Sequence, residues 1–166
     1  MTPLERCRQW VTDFVVGLDL CPWAQAPLSD GTVRWRSTPA TELAALVAEV
    51  VFEAEQLAEH ADIRTSLLVL AAGEAAPEFD DLLELVAVSE AVLEDLGLLD
   101  TVQLVGFHPA FQYAGAEPDD PANQTNQSPV PMVHLLRRRE LSELAVDGVR
   151  VSERNATLLR TRASET

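Results

Sequence analysis

The stretch that most constrains the fold is Thr65–Ala71, TSLLVLA, an unbroken apolar run of strand length set between two segments of helical period. A strand with such a continuous apolar stretch is one covered on both faces, the condition of a sheet with helices packed against it. Before it, Thr38-Pro39 supplies an N-cap with proline at the first helical position. Leu43, Leu46, Val50, Ala54 and Leu57 then recur on one side of a helix, with Glu42, Glu49, Glu53 and Glu59 mainly on the other, solvated side. After it, Pro77 and the acids Glu78, Asp80 and Asp81 open a second helix that runs through Leu82 and Leu93 to Leu96 and stops at Gly97. Thr32–Ser37 alternates Val33 and Trp35 with Arg34 and Arg36, the pattern of a half-exposed strand, and Thr101–Phe107 reads as a third strand. Two consecutive βαβ units over 32–107 predict an α/β fold: a single small domain with a three- to four-stranded, mainly parallel sheet flanked by helices. A length of 166 residues suits one core.

Ahead of this unit, Leu4, Cys7, Val11, Phe14 and Leu18 line one face of a predicted helix over 3–18, which makes Cys7 a buried structural thiol. Cys21 lies past the helix end, before Pro22 and Trp23. It reads either as a ligand or nucleophile at a turn, or as filler for a pocket under the indole. His60 falls at a helix C-terminus, where a chargeable side chain favours the dipole, and reads as structural.

Charge sets limits on partners. The net charge of −15 argues against nucleic acid and anionic membrane surfaces, because phosphate affinity needs clustered cations. The only basic cluster is Arg137–Arg139, and lysine is absent, which removes Schiff-base and Walker-type chemistry. No nucleotide-cofactor motif occurs. No run approaches membrane-span length and the N-terminus carries Glu and Arg, so a cytoplasmic protein is expected. Two cysteines without CxxC spacing argue for reduced thiols.

Residues 108–148 break the pattern. Side chains that bind metal, move protons or form hydrogen bonds are dense there, between Phe107 and Arg139. Ser128 caps a predicted helix with Pro129 at its first position, carrying His134 and continuing through Leu141 and Leu144 to Gly148; residues 149–166 read as a tail with a short helix around 153–160. His108, at a strand end, and His134, with Asp119 or Asp120, are the residue types that hold a transition-metal ion such as zinc, iron or copper while leaving a coordination position open. Without metal, either histidine serves as general base with Asp119 or Asp120 fixing its tautomer, or pairs with Cys21 as nucleophile. The plainer reading makes Asp119 and Asp120 a turn and a cap, and the histidines loop pins. Gln112, Tyr113, Asn123, Asn126 and Arg137 can orient a small polar molecule, and the first four can equally satisfy loop backbone.

Leu20-Cys21-Pro22-Trp23-Ala24, Phe107-His108-Pro109, Phe111-Gln112-Tyr113-Ala114-Gly115, Asp120-Pro121-Ala122-Asn123, Thr125-Asn126, Ser128-Pro129 and His134-Leu135-Leu136-Arg137 together resemble a bacterial family catalogued as domain of unknown function 1415. The resemblance implies that Cys21, His108, Asp120, Asn123, Asn126 and His134 belong to one recurrent pattern. It implies no activity. The expectation is therefore a small-molecule enzyme with a metal held by His108, His134 and Asp120 at the carboxyl rim of the sheet, with Cys21 nearby. The alternatives are a metal-free Cys-His enzyme and a noncatalytic binding module. Homo-oligomerisation is left open.

Overall fold

The structure is a computed structural model and describes residues 1–143 and 147–165. Thr2 and Glu5 form a capping box at the start of α1 (Pro3–Trp10), which passes directly into a π-helical segment, Val11–Val16. A short helix, α2 (Gln25–Asp30), ends at Gly31, whose φ of 68° is one glycine adopts without strain. Then follow β1 (Val33–Thr38), α3 (Leu43–Glu59), β2 (Thr65–Leu70), α4 (Phe79–Asp95) and β3 (Val102–Phe107), close to the predicted positions. Helix α3 starts later than Thr38-Pro39 implies. Thr38 is the buried last residue of β1, and its hydroxyl accepts from the Ala40 N–H in a local turn.

The second half corrects the prediction. Met132–Arg137 is a strand, β4, and not part of a helix; Arg138–Glu143 is helical after it, as α5, and Leu144 lies outside the described residues. The supposed tail is α6 (Gly148–Ser164), 17 residues long and capped by Asp147. In the sheet the order is β1-β2-β4-β3. β1 and β2 pair in parallel, Val33 opposite Thr65, but β4 runs antiparallel to both of its neighbours, with His134 opposite Leu67 of β2 and Val105 of β3. The mainly parallel sheet is therefore replaced by one with a single parallel ladder, in which the β2-α4-β3 crossover leaves a gap that β4 fills.

The alternation along β4 explains its place. Val133 and Leu135 join the cluster under α3 and α4, with Leu68, Leu70 and Leu104; Met132 joins the opposite layer under α1, with Cys7, Val11, Leu67 and Val69. Each half of the core thus needs alternate residues of the same six-residue strand. Helix α4 approaches β3 closely at Gly106, where an added Cβ would lie 3.4 Å from Leu82. Glu53, expected on the solvated side of α3, is fully buried instead. Its carboxylate accepts from Arg34 Nε at 2.8 Å and from the Ser66 hydroxyl at 2.6 Å, and pairs with Arg36 at 3.4 Å, so the buried charge is met from several sides. Among the described residues no helix is long and apolar enough to cross a membrane.

Candidate functional site

His134 sits in the middle of β4 and faces the α1 layer. Its Nε2 lies 2.6 Å from Thr65 Oγ1, and Thr65 also donates to the Leu135 carbonyl at 2.8 Å. A carbonyl only accepts and the hydroxyl has one proton, so both contacts are hydrogen bonds only if Nε2 carries the ring hydrogen and donates to Thr65. The lone pair is then on Nδ1, which no hydrogen bond reaches among the described residues. Burial pushes the ring pKa down to about 4, so the imidazole is neutral at neutral pH.

Cys21 reaches the same layer from the other side. The π-helical segment unwinds at Gly17, and Asp19 takes a left-handed φ of 53°, which Asp tolerates better than most residues. The turn is tied to α6: Asn155 Nδ2 donates to Leu20 O at 2.7 Å, and Arg154 pairs with the Asp19 carboxylate at 3.1 Å. Burial raises the Cys21 pKa and the Asp19 carboxylate adds to it, against the backbone N–H groups of Trp23 and Ala24, which favour thiolate. The sulfur therefore rests as a thiol. Trp23 follows, only 4% exposed, with the Arg64 guanidinium 5.8 Å from its ring centroid and its Nε1–H buried without an acceptor among the described residues.

Two adjoining cavities share Val15, Cys21, Trp23, Phe107 and His134 in their linings. The inner one, about 70 Å³, is walled by apolar groups including Leu28, Val33, Leu67 and Met132. The outer one, about 250 Å³, adds Tyr113, Asn126, Ser152 and Asn155. Together they lie across one face of the sheet rather than beyond the carboxyl ends of its strands. A family model described as "Protein of unknown function (DUF1415)" matches residues 2–166. The chain belongs to the DUF1415 family. No curated protein and no solved structure matches it.

In this DUF1415 chain the other predicted site residues scatter. His108 is at the end of β3 as expected, but it turns toward the start of α4. Its Nδ1 accepts from the Ala110 N–H at 3.0 Å and its Nε2 lies 3.0 Å from the Pro77 carbonyl, so both nitrogens are engaged by backbone. Its ring packs on Phe79, with centroids 5.6 Å apart. Asp120 caps the 3-10 turn Pro121–Asn126 through the Ala122 N–H and holds Arg160 of α6 with two hydrogen bonds, at 3.0 and 2.6 Å. The Arg160 guanidinium, followed by that N–H, keeps its carboxyl below the usual range. Asp119 is exposed beside it. Among the described residues no three His, Cys, Asp or Glu side chains are grouped closely enough to hold a metal ion.

Of the residues proposed to orient a ligand, Tyr113 and Asn126 reach the outer cavity. Asn123 is fully buried and holds the loop, accepting from the Tyr113 N–H at 3.0 Å and donating to Glu117 O at 2.9 Å. Gln112 donates to Ala116 O within the same loop. Arg137 lies elsewhere, donating to the His60 and Ile63 carbonyls beyond the end of α3. Thr65, Ser152 and Asn155 were not singled out by the sequence, whereas Trp23 was, as the indole over a pocket that Cys21 fills. A polar residue opening the apolar run of β2 was the available signal for Thr65.

Proposed function

We propose that this protein acts on a small molecule held in the paired cavities, with Cys21 as the reacting group and His134 Nδ1 as the acceptor of its proton. The observation that carries the reading is the meeting of this thiol and a neutral, Nδ1-unpartnered imidazole in the walls of both cavities. Of the alternatives raised by the sequence, the metal-free Cys-His enzyme fits best: His108 has both nitrogens occupied, and Asp120 is committed to Arg160 and a cap. Because burial favours the uncharged form of both groups, a thiolate-imidazolium pair is not the resting state. The proton leaves sulfur as sulfur attacks, and the cost of separating charge falls on the chemical step.

Labelling with small uncharged electrophiles, read by intact mass and peptide mapping, tests this. Cys21 should take the label while Cys7, fully buried and pushed up to about 11, does not. His134→Gln should slow labelling of Cys21 roughly tenfold or more at neutral pH without loss of fold. An inert Cys21, or one indifferent to His134→Gln, ends the proposal.

A further inference from the structure

Granting that the paired cavities are the ligand site, their shape and chemistry also say what kind of molecule fits. The inner cavity, about 70 Å³, has almost wholly apolar walls. An apolar cavity of about 150 Å³ holds a benzene ring, so this one holds about three carbon-sized groups. The outer cavity is larger and carries neutral polar side chains, Tyr113, Asn126 and Ser152 among them. Among the described residues neither is lined by Arg, Asp or Glu. A ligand ion buried here would have no countercharge, and an unpaired buried charge costs several kcal/mol.

His134 Nδ1, a lone pair that no hydrogen bond reaches among the described residues, belongs to a side chain that lines both cavities. A group that donates to it completes its hydrogen bonding, and an amide or a hydroxyl does so without carrying charge.

We infer that the ligand is an uncharged molecule with a short apolar end of about three carbons in the inner cavity and an amide-like or hydroxyl group that donates to His134, its remaining part lying in the polar outer cavity. The inference rests on the site proposed above but not on the reactivity of Cys21.

Titration with acetamide, butyramide, hexanamide, butyrate and butylammonium tests it. The readouts are the melting temperature and the indole N–H signals of the three tryptophans in nitrogen-proton spectra, with Trp23 assigned from Trp23→Phe. Butyramide should move the Trp23 signal and raise the melting temperature most, acetamide and hexanamide less, and the two ions not at all. Ala24 lines the inner cavity only, so Ala24→Leu should weaken butyramide severalfold and spare acetamide. Butyrate or butylammonium binding as well as butyramide overturns the inference, as does failure of every amide to move Trp23, or butyramide binding untouched by Ala24→Leu. Amide binding beside an unreactive Cys21 would instead sink the reaction and leave the ligand class standing.

Discussion

Thr65 has one hydroxyl proton and two acceptor-capable neighbours, and the way it spends that proton sets the tautomer of His134. Thr65→Val should free the ring to place its proton on either nitrogen and so slow labelling of Cys21, with a smaller effect than His134→Gln. The buried ring also gives a sign to pH dependence. Its pKa is depressed from 6.5 to about 4 in the folded state, so the unfolded chain binds the proton first as pH falls. Stability should be full above 6.5 and decline toward about 4, by about 3 kcal/mol at most from this group. His134→Gln should flatten that part of a pH series of denaturant melts, and an unchanged slope would show the ring to be solvated. His108 differs in kind. His108→Ala strands a donor and an acceptor of the loop backbone and should cost about 1–3 kcal/mol in urea melts while leaving Cys21 labelling intact. Protein purified without a histidine tag should show no stoichiometric transition metal and no change of melting temperature with chelator. Metal that disappears in both His108→Ala and His134→Ala would restore the metal reading.

Among the elements, those with a repeating signal were legible and those without were not. β1, β2, β3, α3 and α4 have either strand alternation, a bounded apolar run or a full amphipathic helix, and their positions follow from it. β4, six residues long like the other strands, is apolar on both sides because both layers of the core use it, so it shows no strand alternation. The prolines before it suit a helix start, but they equally hold an extended entry, and Pro131 O accepts from the Leu70 N–H. α6 was illegible for the opposite reason. Only Asn155 and Leu159 are buried, so it has no apolar stripe, and it docks through Asn155 to Leu20, Arg154 to Asp19 and Arg160 to Asp120. Cys21 and His134 line the same cavities because the turn after the π-helical segment and β4 are brought to one face of the sheet, which no local pattern reveals. Leu135 is fully buried in β4. Leu135→Ala should cost about 2–5 kcal/mol, measured by denaturant unfolding, the loss expected of a core strand and not of an exposed loop.

For the molecule as a whole, 27 carboxylates against 12 cationic side chains leave a net −15, and mutual repulsion opposes the compact state. The exposed pairs of α6 with Asp19 and Asp120 work against that excess, but salt screens both effects. Repulsion acts over the entire surface and the pairs at two places, so the melting temperature should rise as salt is added to about 0.1 M. A fall would mean that the clasp on α6 outweighs the global term.

The insertion of β4 between β2 and β3 has a consequence for synthesis. When a ribosome has delivered residues up to 131, three strands of the sheet exist but only β1 and β2 have each other as neighbours, while β3 and the inner edge of β2 offer unpaired backbone and apolar side chains. The nascent chain must carry these exposed until the last fifth of the sequence emerges, and a chain stalled there presents two sticky edges to any other stalled copy.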